Sequence, residues 1–201
     1  LEQPGDVLSC PGEYGKASEY LEKALDFQMG HDVPEDVGVL INGATLRQEL
    51  GQEAEADKLL RRALELAQER GDGRSQAGIL GNLGIVARRL GYLAEAEGYY
   101  RRALELCQRL GLDRQGADLL VNVANLNVEI GAWDNADKAL GEALREYEKR
   151  GDLVGEALVR ANRGYARCAA GRRALGVEDL LRSVEIARRV EHRPLIFFSL
   201  L

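Results

Sequence analysis

Glycine recurs through this chain with a fixed cadence: Gly51, Gly91, Gly131 and Gly171 stand 40 residues apart, and Gly71, Gly111 and Gly151 fall midway between them. A period of that size marks a supersecondary unit repeated and stacked on its neighbours, each copy burying surface against the next instead of around one centre. The clearest copy is GYLAEAEGYYRRALELCQRLG, Gly91 to Gly111. Within it Ala96, Tyr99, Tyr100, Ala103, Leu104, Leu106, Cys107 and Leu110 recur at helical spacings, with Glu95, Glu97, Arg101, Arg102, Glu105 and Arg109 mostly between them. Such an amphipathic helix needs a partner, and Gln76 to Leu90 supplies one, with Ala77, Leu80, Leu83, Gly84 and Ala87 as packing positions. The expected fold is an all-α solenoid of antiparallel helix pairs, with a glycine-containing turn after every helix.

On this register the chain divides into a flexible start or truncated repeat at 1–11, a half repeat at 12–31, and repeats at 32–71, 72–111, 112–151 and 152–191. Residues 192–201 open a further helix at Pro194, whose Phe197, Phe198, Leu200 and Leu201 need cover from another surface. Asp32 and Asp72 precede first helices as N-caps. In the second helices acidic residues come early and arginine late, as Glu53 and Arg70, Glu95 and Arg109, or Asp134 and Arg150, which suits the helix dipole. In the fourth unit Gly176 and Ser183 occupy positions held by alanine in earlier units, so looser packing is expected there.

Composition narrows the function. With 45% hydrophobic and 30% charged residues the chain suits a helical globular protein, and its four prolines avoid the proposed helix interiors. A net charge of -6, with both signs alternating along the helices, argues against a nucleic-acid backbone as partner. No run is apolar for the roughly 20 residues a bilayer requires, so no membrane span is expected and the reading is cytoplasmic. Cys10, Cys107 and Cys168 are odd in number and far apart, and only two histidines are present, which encodes neither a disulfide framework nor a metal site. No phosphate loop, nucleophile elbow or Cys-His arrangement is present, so no cofactor and no enzymatic activity are expected.

One further repetition lies outside the packing frame: Asn42, Asn82, Asn122 and Asn162 are 40 residues apart, each inside a first helix. Asparagine is poor there, because its amide competes for backbone hydrogen bonds, and four occurrences at one register need a cause. At about 100° per residue, Leu80, Gly84 and Ala87 share one face of the central first helix, and Gly78, Asn82, Ile85 and Arg89 lie near the opposite one. The same stripe carries Asn42, Thr45 and Glu49 in the first unit, Asp118, Asn122, Asn125 and Glu129 in the third, and Leu158, Asn162 and Tyr165 in the fourth. Such a ladder offers amide donors and acceptors to an extended peptide, with the neighbouring side chains selecting its residues. The alternative is that each asparagine bonds to a preceding helix or loop and sets the angle between units.

Leu83-Gly84, Gly91, Ala96, Tyr100 and Ala103 together resemble the tetratricopeptide repeat signature. The other units carry it as Ala44, Gly51, Ala56, Leu60 and Ala63; as Ala124, Gly131, Ala136, Leu140 and Ala143; and as Gly164, Gly171, Gly176 and Leu180. The spacing of 40 exceeds the roughly 34 residues usual for that repeat, and is similar to the longer repeats of Leu-Gly-Asn polarity adaptors, kinesin light chains and bacterial regulator arrays. The resemblance implies a right-handed superhelix whose first helices line a concave groove for a protein segment, and a groove-facing role for the matching asparagines. It implies a non-enzymatic interaction scaffold; the alternative is a self-associating array joined through its C-terminal end.

Overall fold

The computed structural model describes residues 35–190 together with Glu19 and Lys23. Asp32, most of the half repeat at 12–31, Cys10, and the segment 192–201 with Phe197 and Phe198 lie outside the described residues. Eight helices occur among them: α1 (Val37–Glu49), α2 (Glu53–Glu69), α3 (Gly73–Arg89), α4 (Leu93–Leu110), α5 (Asp113–Glu129), α6 (Trp133–Arg150), α7 (Leu153–Ala169) and α8 (Arg173–Arg189). There is no strand among the described residues. The chain separates into two compact units, Leu1–Ser75 and Gln76–Leu201.

The glycine cadence explains the turns. All seven of Gly51, Gly71, Gly91, Gly111, Gly131, Gly151 and Gly171 have positive φ, between 63° and 81°. At each, the amide that follows reaches back to the carbonyl five residues earlier, as Tyr92 does to Ala87 at 2.8 Å and Leu112 to Cys107 at 2.9 Å. This left-handed cap satisfies carbonyls that the helix end would leave bare. A Cβ would meet nothing within 4 Å at any of the seven. Glycine is needed there for its backbone conformation and not for space.

In the first unit α1 packs on α2, burying Leu40 and Ala44 with Ala56, Leu60, Ala63 and Ala67. Asp36 caps α1 by accepting from the amides of Gly38 at 2.7 Å and Val39 at 3.2 Å. Glu35, just outside the cap, accepts from Arg62 Nε at 2.7 Å, so the start of α1 is tied to the middle of α2.

In the second unit α3 pairs with α4, α5 with α6 and α7 with α8, and the small residues mark where helices approach most closely. A Cβ on Gly84 would overlap the Tyr100 ring, and one on Gly155 the Tyr147 ring. Both aromatic side chains are thus seated on a bare backbone, which is how a large ring fits between helices at close range. Consecutive first helices also meet, for the side chain of Leu119 lies 2.7 Å from where a Cβ of Gly81 would stand.

The packing expected to be loose at Gly176 and Ser183 is instead among the tightest in the molecule. A Cβ on Gly176 would fall 2.7 Å from the carbonyl of Gly164, and one on Gly164 would fall 2.8 Å from the carbonyl of Gly176. The two bare backbones face each other, and α7 and α8 touch main chain to main chain. Ser183 is fully buried and donates its hydroxyl to the carbonyl of Ala157 at 2.7 Å. A small side chain leaves a cavity only where the neighbouring backbone fails to follow it in.

Asp72 caps the helix it precedes, accepting from the Ser75 amide at 3.0 Å and from the Ser75 hydroxyl at 2.5 Å. These hydrogen bonds from Ser75, side chain first, hold the Asp72 carboxyl below its ordinary range. A depressed folded-state pKa stabilises above the unfolded pKa, and that contribution disappears as pH falls through the folded value. Asp72→Ala is expected to cost about 1 kcal/mol at neutral pH by urea denaturation. The gap between variant and parent should narrow in acid; a gap that stays constant to strongly acidic pH would show that Asp72 acts otherwise.

Candidate functional site

The asparagines occupy one register of the first helices. In the second unit Asn82 on α3, Asn122 on α5 and Asn162 on α7 are half-buried, while Leu80, Gly84 and Ala87 of the opposite α3 face are buried. None of these three amides makes a side-chain hydrogen bond to another described residue. Asn127, four residues after Val123 on another face of α5, shows the contrast: its amide donates to the Val123 carbonyl at 2.9 Å. In the first unit Asn42 is exposed on α1, beside Thr45, whose hydroxyl bonds back to the carbonyl of Ile41 at 3.1 Å, and exposed Glu49.

The helices that carry Asn82 and Asn122 are joined directly. Besides the seat of Leu119 over Gly81, Arg88 Nη1 of α3 donates to Glu129 of α5 at 3.0 Å. Glu129 is therefore paired within the protein. Asp118 is engaged too, accepting from the Tyr147 hydroxyl of α6. Burial, and then that hydrogen bond, pushes the Tyr147 phenol well above its ordinary value, so it remains a donor across the neutral range. Two of the carboxylates that make the stripe look acidic thus have internal partners.

Apart from Arg89, what remains along the stripe of the second unit is neutral. Ile85 and Asn125 are half-buried, and around Asn162 the exposed face of α7 is apolar, with Val154 and Leu158 each 41% exposed and Tyr165 61% exposed. Arg89 is exposed on α3. The stripe can offer amide hydrogen bonds flanked by apolar contacts, which suits the backbone and side chains of an extended polypeptide.

A second polar constellation was missed by sequence reasoning. Asp179 of α8 is buried at 3% exposure and held by three arginines of α7. Arg163 grips it through Nε at 2.8 Å and Nη2 at 2.6 Å, Arg167 donates at 2.8 Å, and Arg160 stands 3.5 Å away. Burial opposes the charge on Arg163, but the hydrogen bond to Asp179 and its attraction outweigh this and hold the guanidinium above its ordinary value. The signal was present in the register. Asp179 stands where earlier units have Leu59, Tyr99 and Ala139, Arg160 where they have Leu40, Leu80 and Leu120, and Arg163 where they have Gly43, Leu83 and Val123.

No group of three or more His, Cys, Asp or Glu side chains suited to a metal ion occurs among the described residues. Cys107 is buried and Cys168 half-buried, both as free thiols, and burial pushes the Cys107 thiol up. None of the helices among the described residues is long and apolar enough to cross a membrane.

A family model for the tetratricopeptide repeat matches residues 38–108 and 75–149, together more than half of the chain. No curated protein matches the sequence significantly. Among solved structures, BtubC (BKLC) from P. vanneervenii is 25% identical, with 90% of this chain and 76% of that one covered and a TM-score of 0.76. The Rap conjugation gene regulator of plasmid pLS20, solved with a Phr peptide, is 17% identical over 94% of this chain at a TM-score of 0.77. This chain spans about half of that regulator, 53% of its length. A kinesin light chain-like repeat protein of Podosopora anserina is 16% identical, with 90% of each chain covered and a TM-score of 0.71.

Proposed function

Since the chain belongs to the tetratricopeptide repeat family and is a protein–protein interaction module of that kind, we propose that its first-helix face binds an extended segment of a partner protein. Asn82, Asn122 and Asn162 hydrogen-bond the segment's backbone, and Ile85, Asn125 and Tyr165 select its side chains. The observation that carries this reading is the half-buried set of three amides, at one register, without side-chain partners among the described residues. Among the described residues, no hydrogen bond from Asn82, Asn122 or Asn162 to a neighbouring helix supports the alternative. In the first unit Asn42, Thr45 and Glu49 offer a stripe of the same kind, and Arg89, Asp118 and Glu129 border the amides of the second. The internal pairing of Asp118 and Glu129 favours a segment without a basic clamp motif. A likeness to Leu-Gly-Asn adaptors is part of the same proposal, as is a cytoplasmic location, where Cys107 and Cys168 would stay reduced. That the Rap regulator was solved with a peptide supports the fold's suitability for such a ligand.

Once a bound segment is mapped, Asn82→Ala and Asn122→Ala are each expected to weaken it by roughly 0.5 to 3 kcal/mol by calorimetry, because a desolvated ligand group loses its partner. Melting temperature should hardly move, since alanine is the better helix former. Unchanged affinity with a markedly lowered melting temperature would remove the asparagine face as the site. A self-associating array is the second reading, favoured by Val177 and Leu181 of α8, exposed at 49% and 65% where earlier second helices carry Asp57 and Arg61 or Glu97 and Arg101. A molecular mass that rises with concentration in light scattering would favour it.

A further inference from the structure

Away from the asparagine face, the second unit has clefts between consecutive second helices, each floored by the first helix that intervenes. One, of about 590 Å³, runs between α4 and α6 over α5 and is apolar at Leu104, Leu120, Val123 and Ile130. Another, of about 580 Å³, lies beside α6 over α7 and reaches the start of α8; its cations are Lys138, Arg145, Arg163, Arg167 and Arg172. Lys138 and Glu142 line both, so the clefts meet along one ridge of α6.

The cationic cleft holds more donors than it uses. Its carboxylates are Asp134, Asp137 and Glu142, three against five cations, in a chain whose net charge is -6. Arg163 and Arg167 are turned to Asp179, and Arg167 also to Asp137 at 2.9 Å. Arg172 donates from Nη1 to Asp134 at 2.9 Å and sets Nη2 3.4 Å from Asp137 Oδ2, while its Nε is buried without a hydrogen-bond partner. Lys138 and Arg145 are exposed and form no ion pair with another described residue. Buried guanidinium N–H groups lacking acceptors carry a desolvation cost that an incoming acceptor removes, and a carboxylate matches their planar geometry. The adjoining apolar cleft has the complementary need, because Leu104, Leu120 and Val123 are only half-buried and Ile130 is 54% exposed. An apolar anchor beside a charged seat is the anatomy of a peptide docking surface.

We propose that this pair of clefts is a second docking surface, on the second-helix side, for an acidic segment of a partner protein. An aliphatic or aromatic side chain of the segment fills the cleft at Leu104, Leu120, Val123 and Ile130. An Asp or Glu side chain a few residues along reaches Lys138, Arg145 and the Nε edge of Arg172. The surface is distinct from the asparagine stripe and does not depend on it.

The test is selection of a displayed library of random short peptides on the whole chain, with counter-selection on the Lys138→Glu/Arg145→Glu variant. Both side chains are exposed and form no ion pair among the described residues, so charge reversal leaves α6 intact, which a melting curve verifies. The peptides retained by the parent and lost on the variant are expected to share an acidic residue close to a Leu, Ile or Phe. Resynthesised with a fluorophore, they should bind about tenfold or more weakly to the variant and to Ile130→Asp, and with unchanged affinity to Arg109→Glu, a reversal outside both clefts. The proposal is overturned if no peptide distinguishes parent from variant, if the distinguishing peptides lack Asp and Glu, or if Arg109→Glu weakens them equally.

Discussion

Asp179→Ala is expected to destabilise the protein by about 3 to 5 kcal/mol, because removing one partner of a buried ionic cluster leaves uncompensated charge in the interior. The Asp179 side chain is 4% exposed and the Arg163 side chain 14%, and Arg163 has no other carboxylate within salt-bridge distance among the described residues. Arg160 and Arg167 are better protected, since Arg160 also meets Glu156 at 2.8 Å and Glu148 at 2.6 Å, and Arg167 meets Asp137 at 2.9 Å. The loss should therefore fall chiefly on Arg163. Asp179→Asn keeps the shape and removes the charge, and should lie between parent and alanine variant.

The informative comparison is with the uncharged solution that the third repeat already uses. Arg160→Leu, Arg163→Val, Arg167→Asn and Asp179→Ala together install the side chains of Leu120, Val123, Asn127 and Ala139. Replacing a buried ionic cluster by packed apolar groups is often neutral or stabilising by roughly 1 to 4 kcal/mol. Here Glu156 and Asp137 stay behind without Arg160 and Arg167, so the quadruple variant should recover only part of what Asp179→Ala loses. Equilibrium unfolding in urea measures all of these. A loss below about 1 kcal/mol for Asp179→Ala would mean that water reaches the cluster and that its burial is nominal.

The second large effect concerns the facing glycines. Gly164→Ala and Gly176→Ala should each cost about 1 to 3 kcal/mol, against the gain of about 1 kcal/mol that alanine normally brings to a helix interior. The added methyl at Gly176 meets the Gly164 carbonyl at 2.7 Å and the Cys168 backbone nitrogen at 3.0 Å. At Gly164 it meets the Gly176 carbonyl at 2.8 Å and Leu180 Cγ at 2.7 Å. A side chain can rotate away, but main chain cannot yield without moving α7 and α8 apart. Because both substitutions separate the same two helices, the double variant should lose less than the sum. Gly98→Ala is the control: it lies inside α4 with nothing within 4 Å of the new methyl, and should be neutral or stabilising. If Gly176→Ala stabilises as Gly98→Ala does, the close approach of α7 and α8 is wrong.

The repeat, the all-helical pairs and the turns were legible in the residues because each rests on a local property. Left-handed φ at Gly51, Gly91, Gly131 and Gly171 is a preference of one residue, and the stripes that bury Ala96, Tyr100 and Ala103 follow from spacing along one helix. The phase of the asparagines was legible for the same reason: Asn82, Asn122 and Asn162 lie off the buried face as their spacing from Leu80, Gly84 and Ala87 requires. Which side chain meets which was decided only when helices packed. Asp118 and Glu129 read as an acidic stripe, yet Tyr147 and Arg88 engage them. Gly176 read as a gap, and its contact with Gly164 closed it. Asp179 and its arginines lie on two different helices, and only tertiary packing gathered them into one buried cluster. A single helix's pattern states how much of its surface must be covered. The identity of the covering atom depends on how closely two backbones approach, and that distance is a property of both surfaces at once.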